Sequence, residues 1–319
     1  MTLTSTRDTQ EQTPVTNGGL FRYVDALLRP VNATVERYFL QVASWPALVV
    51  MLAVTAIPFV ITIGLAFTNY DLVRYDQWRF IGLDNFEELA NDRQTPIILV
   101  NTVVLVVFTT LIPTVFGLGL AVLMERSIRG MGLIRTLFLV PIMTAPVVVA
   151  LTWRAMFNND AGWINYFLGL VGLPTPVWLG DPLLAMPVVI IADAWTSIPF
   201  QAILLLAALL TVPSELKEAA GVDGAGRTRT FWHITLPWIR PVLFVVIVLR
   251  FMDAFRKFEG IQQLTRGGPG LASTPINLQI YNTGLFYSRV GYAAAWGLVM
   301  VAMIAVSLVI VYLVRRRLA

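Results

Sequence analysis

Glu218-Ala219-Ala220-Gly221-Val222-Asp223-Gly224, followed by Ile234-Thr235-Leu236-Pro237, is a polar stretch set between the fourth and fifth apolar runs of the chain. Alanine and glutamate are good helix formers, so the Glu-Ala-Ala turn predicts a short helix. Ahead of it, Pro213-Ser214-Glu215 reads as the helix start, with Ser214 as N-cap and Glu215 in the first turn, where the macrodipole favours an acid. Gly224 is where the chain can bend, and a second short helix follows. The stretch is thus a compact knob between two long apolar segments. Ala219 and Ala220 leave one of its faces free of bulky side chains, a surface that can slide into a groove on another protein.

Outward from this knob, the chain is 57% apolar and only 13% charged. Soluble domains carry about 25% charge, so the composition is that of a polytopic membrane protein. There is no cysteine, which excludes disulfides, thiolate metal sites and thiol catalysis. The one histidine, His233, is too few for a zinc site or a Ser-His-Asp triad. No glycine is followed by a lysine, so no Walker A loop is present to cradle a nucleotide. Nothing in the chain points to a nucleic-acid partner.

Crossing ~30 Å of hydrocarbon takes about 20 apolar residues. Six windows meet this, near Ser44–Thr68, Pro96–Met124, Thr136–Met156, Leu183–Leu210, Pro241–Gln262 and Val290–Val314. Ala161–Gly180 also lacks charge, but Gly162, Gly169, Gly172, Pro174 and Pro176 interrupt it, and it reads as an external loop with an interfacial turn of helix. Residues 1–18 read as a flexible tail. Residues 19–36, with Leu20, Phe21, Val24, Leu27 and Leu28 at helical spacing, read as an amphipathic interfacial helix lying on membrane lipid, or alternatively packed on the ends of the spans. Residues 37–319 form the six-span domain, with the knob in a loop over 211–240.

Basic residues set the orientation. Arg7, Arg22, Arg29 and Arg37 lie in the tail, Arg126, Arg129 and Arg135 between the second and third spans, Lys217, Arg227, Arg229 and Arg240 around the knob, and Arg315, Arg316 and Arg317 at the end. On the opposite side, Arg74, Arg79 and Arg93 are offset by six acids between Asp71 and Asp92, with Arg154, Arg266 and Arg289 later. Both termini and the knob are expected in the cytoplasm.

The order Glu-Ala-Ala, three residues, Gly, nine residues, Ile-x-Leu-Pro resembles the signature loop of permease subunits of binding-protein-dependent ABC importers. Leu264-Thr265-Arg266-Gly267-Gly268-Pro269, with Thr274 and Ile280-Tyr281, is similar to the loop before the last span in the carbohydrate branch (maltose, trehalose and glycerol-phosphate type). Phe80-Ile81-Gly82-Leu83-Asp84-Asn85-Phe86 resembles the first external loop of that branch. The resemblance implies an all-α, type I ABC importer permease fold with six transmembrane helices. It implies a transport subunit, not an enzyme, that imports a carbohydrate. The implied partners are a second homologous permease, two ATPase copies that hold the ATP and magnesium, and an external solute-binding protein. Glu218, Ala219 and Ala220 would dock in a cleft of the ATPase, with Glu218 pairing with a basic group there. Gly224 would make the bend, and Ile234, Leu236 and Pro237 would anchor the second helix and lead into the fifth span. No large external domain is inserted between the spans, unlike the maltose-type subunit. Import of an amino acid, phosphate or metal complex uses the same loop and stays open. A stand-alone secondary transporter would not need the knob.

Charges inside spans are costly and face a bundle interior or a water-filled path. At 1.5 Å rise per residue, Asp253 lies roughly 18 Å into the fifth span and Asp193 roughly 15 Å into the fourth. Arg250, Asp253 and Lys257 share one helical face. Two readings are open: Asp193, Asp253 and Arg250 line a polar translocation path with Trp195 offering a flat face to a sugar ring, or these charges form an interhelical salt bridge that fixes packing. Asn101, Tyr281 and Asn282 are further candidates near the external ends.

Overall fold

The computed structural model describes Tyr38, residues 44–125 and residues 130–318. The expected tail (1–18) and interfacial helix (19–36) lie outside these residues, as do Arg126 and Arg129. The chain divides into two units, Met1–Ile61 and Thr62–Ala319. Helix α1 (Ser44–Ala66) begins in the first and ends in the second. The remaining helices are α2 (Asp84–Asn91), α3 (Thr95–Met124), α4 (Met131–Leu137), α5 (Leu139–Met143), α6 (Pro146–Met156), α7 (Trp163–Leu170), α8 (Ala185–Leu209), α9 (Ser214–Val222), α10 (Arg227–Thr230), α11 (Leu236–Ala254), α12 (Glu259–Leu264), α13 (Ile276–Tyr281) and α14 (Val290–Leu318). Among the described residues no strand forms, only an isolated bridge between Thr68 and Phe80.

In the second unit α3 and α8 form the central pair. A Cβ at Gly117 would sit 3.0 Å from the Gln201 Cβ, so a glycine is what lets the two backbones approach. Ala121, Met124, Ala202, Leu205 and Leu209 bury the half of this pair nearer the knob, together with Val212 and Ile239. Leu105, Val188, Val189 and Ala192 do so in the other half, against Ala150, Ile261 and Leu278. Helix α14 is seated by Tyr292 and Trp296 against Leu89, Ile98 and Ile276. A Cβ at Gly291 would meet the Thr68 carbonyl at 2.1 Å, so only glycine fits where the start of α14 crosses the chain after α1. At that end Arg289 and Glu88 make a bidentate, half-exposed pair at 2.8 and 2.6 Å, which first of all raises the Arg289 pKa.

Among the described residues five helical segments are long and apolar enough to cross a membrane: Ser44–Ala66, Thr95–Met124, Ala185–Leu209, Arg227–Ala254 and Val290–Leu313. The third expected span is not one helix. Met131–Met143 and Pro146–Met156 meet at 95°. Proline disfavours helical dihedrals in the residue before it. Accordingly Ala145 is extended at φ −60°, ψ 137°, and Thr144 at φ −80°, ψ 131°. The fifth span also differs from expectation, because its helix stops at Ala254 and Gln262 belongs to the separate α12. The carbonyls of Phe255 and Lys257 are taken by the Asn277 side-chain amide, which replaces the next helical turn. The charge-free stretch Ala161–Gly180 holds α7, eight residues and hence about 12 Å long, too short to cross. It is pinned by Trp178 Nε1–H donating to Asn165 Oδ1 at 2.7 Å.

Candidate functional site

The knob is built as two helices joined at Gly224. Helix α9 begins one residue earlier than expected. Pro213 is the N-cap at φ −56°, ψ 133°, and Ser214 is the first helical residue without a side-chain capping bond. Proline fixes that entry geometry by itself, so the serine hydroxyl is not needed. Glu215 lies in the first turn. Glu218 and Ala219 are exposed, while Ala220 is buried against the protein. The helix closes with Ala225 N–H donating to Ala220 O at 2.8 Å, and Gly224 takes φ +76°, a left-handed conformation that suits glycine at a helix C-terminus.

After Gly224 the chain runs from Arg227 to Ala254 as one helical segment, through a wider π turn at Phe231–Thr235. That turn leads into Pro237, which has no N–H to continue the α pattern. Ile234, Leu236 and Pro237 are half-buried there, and Leu236 packs on the Ile239 cluster. His233 bonds only locally, its Nδ1 lying 2.9 Å from Arg229 O.

At the far end of that same segment sits a charged cluster. Arg250 is 6% exposed and is paired with Asp193 from α8, whose side chain is 10% exposed. Its Nη1 reaches Asp253 Oδ2 at 2.7 Å, and its Nε–H donates to the Thr109 carbonyl of α3 at 2.8 Å. Lys257 Nζ bridges Asp193 at 3.1 Å and Asp253 at 3.2 Å. Every charge in the cluster is answered by an opposite one, so burying it carries no lone ion.

The cluster forms one wall of a cavity of about 630 Å³, lined also by Pro141 and Thr144 of the bent third span, by Thr196, Ser197 and Phe200, and by Arg256, Phe258 and Glu259. Asp193, Arg250 and Asp253 therefore meet in one place, joining the salt bridge and the lining in a single arrangement. Trp195 is apart from them. Two residues beyond Asp193 on a helix turning ~100° per residue, it lies on the opposite face of α8, 41% exposed and outside the cavity lining. Asn101 holds the loop before α13, donating to Leu271 O at 2.6 Å, Tyr281 packs on Phe258 with ring centroids 4.6 Å apart, and Asn282 opens a π turn. Two partners were not evident from the residues alone: the Thr109 carbonyl, whose signal is Pro113 four residues on, and Glu125, ion-paired with Lys217 of α9.

The comparisons with known proteins agree with this architecture. The chain is 34% identical, over 84% of its length and 90% of the relative's, to the trehalose/maltose transport system permease protein MalF of Thermococcus litoralis. It is 34% identical to the trehalose transport system permease protein SugA of Mycobacterium tuberculosis, over 72% of this chain and 74% of that one. A crystal structure of a bacterial alginate ABC transporter, in complex with an alginate pentasaccharide-bound periplasmic protein, superposes with a TM-score of 0.78 at 25% identity, covering 90% of this chain and 97% of that one. Residues 113–319 match the model of the binding-protein-dependent transport system inner membrane component, and this chain, a multi-pass inner-membrane permease subunit, belongs to that family.

Proposed function

We propose that the chain forms half of the translocation path of an ATP-driven carbohydrate importer. A second homologous permease supplies the other half. Two ATPase copies hold ATP and magnesium and grip α9, while an external binding protein delivers the saccharide. Both termini and the knob then face the cytoplasm, as the basic residues indicate. The observation that carries this reading is the single helical segment Arg227–Ala254, which follows α9 in the chain three residues after Gly224 and ends at the charged cavity wall. A push on the knob therefore acts along one stiff element on the cavity. The paired charges leave the wall polar without a large excess of either sign, a surface that suits a hydroxyl-rich neutral solute. The names of the relatives support the substrate class.

The test is a mild-detergent pull-down from the native membrane, with co-purifying chains identified by mass spectrometry. The expected result is recovery of an ATPase and a second permease, with the ATPase lost on Glu218→Arg. A chain that purifies alone and transports maltose or trehalose in liposomes without ATP would overturn the reading.

A further inference from the structure

Three helices meet at the charged cluster, and each has its own link to α9. Helix α8, which carries Asp193, joins α9 covalently through residues 210–213. Helix α11, which carries Arg250, joins it through α10 and the π turn. Helix α3, which offers the Thr109 carbonyl, has no such continuity. Its polar link to α9 is the ion pair between Glu125, just past the end of α3, and Lys217 of α9. Met124 and Ala121 are buried against the α8 end beside this pair, and Arg135 Nη2 caps the Met124 carbonyl at 2.7 Å.

We propose that the Lys217–Glu125 pair makes α3 move with α8 and α11 when α9 is displaced, so that Glu125 is a positioning residue for cavity switching. From Glu125 to Thr109 is sixteen residues, roughly 24 Å along the axis. Without the pair, displacement of α9 reaches α3 only through its packing on α8, where Gly117 lies against Gln201, and the Arg250–Thr109 hydrogen bond takes up the mismatch at the cluster. The pair is partly exposed, 31% at Lys217 and 26% at Glu125, so it contributes little to static stability. Its value lies in the geometry it transmits. This inference rests on the reading of α9 as the ATPase contact.

The chain has no cysteine, so a single introduced thiol reports on the cavity without a known substrate. In the whole complex, Thr196→Cys on the cavity wall is labelled with a maleimide, with and without ATP and vanadate, and labelling of this chain is read by mass. Glu125→Lys is expected to leave ATPase retention and hydrolysis intact while shrinking the ATP-dependent change in labelling roughly fivefold, the low end of ordinary coupling energies. Lys217→Glu added to it restores the change. A full-sized change in Glu125→Lys, or no restoration in the double variant, overturns the strut. Absence of any ATP-dependent change in the parent Thr196→Cys complex overturns the importer reading itself, and is told apart because it needs no charge variant.

Discussion

Arg250 completes a hydrogen bond that Pro113 leaves open. In an unbroken helix the Thr109 carbonyl would accept from the N–H of residue 113, but proline has none. The Arg250 Nε–H takes that place from another helix, at 2.8 Å. The carbonyl that Pro113 leaves free in α3 thereby becomes a docking point for α11, and the guanidinium that takes it also reaches Asp193 and Asp253. The cavity wall is thus registered to backbone, not to side chains alone.

Arg250→Lys keeps the charge and loses the arrangement. An ammonium cannot reproduce a planar fork that serves a carbonyl and two carboxylates at once. Loss of the charged hydrogen bond to Thr109 is expected to cost about 1.5–3 kcal/mol, read as a lower thermal midpoint of the detergent-solubilised protein. An unchanged midpoint would show that the Thr109 contact holds nothing.

The two aspartates are expected to differ. Asp193 is 10% exposed, and its loss in Asp193→Asn removes one buried partner from Arg250, with an expected destabilisation of about 3 kcal/mol. Asp253 is 49% exposed, and Asp253→Asn should cost no more than about 1 kcal/mol. Equal losses in thermal unfolding would contradict the burial on which the difference rests. A transport defect in Asp253→Asn at near-normal stability is the signature of a path residue.

Gly224 sits at φ +76°, which proline cannot adopt because its ring holds φ near −65°. Gly224→Pro is expected to leave membrane insertion intact and to release the ATPase from the complex. Gly224→Ala, costing about 1 kcal/mol in that conformation, should weaken retention only partly. Normal retention and uptake in the proline variant would remove the bend from the coupling mechanism.

Gly117→Val tests the central pair. Its Cβ would lie 3.0 Å from the Gln201 Cβ and 3.2 Å from the Ile198 carbonyl, leaving no room for the added methyls. Overpacking of about 1–3 kcal/mol is expected, together with loss of the Thr114–Gln201 hydrogen bond at 2.9 Å. A variant that melts with the parent protein would mean that α3 and α8 have slack between them.

Features decided by neighbours along the chain could be read from the residues alone. The windows over α1, α3, α8 and α14 rest on apolar length, and the knob rests on alanine propensity and on Gly224, the one position there where a left-handed turn is needed. The fold class followed from the same signals together with the order of the Glu-Ala-Ala loop. The break at Ala145 was also written locally, in Pro146, but a count of apolar residues weighs hydropathy and does not see dihedral angles.

The tertiary structure decided what depends on distant partners. The fifth span ends at Ala254 because Asn277, more than twenty positions away, takes carbonyls the next turn would have used. Arg250, Asp253 and Lys257 share a face by periodicity, yet their meeting with Asp193 depended on the packing of α8 against α11, and the anchoring of Arg250 on a third helix and on a carbonyl that no side-chain pattern displays. Trp195 looked equivalent to Asp193 at two residues' distance. On a helix that separation is more than half a turn, and packing of α8 against α3 decides which side holds the cavity.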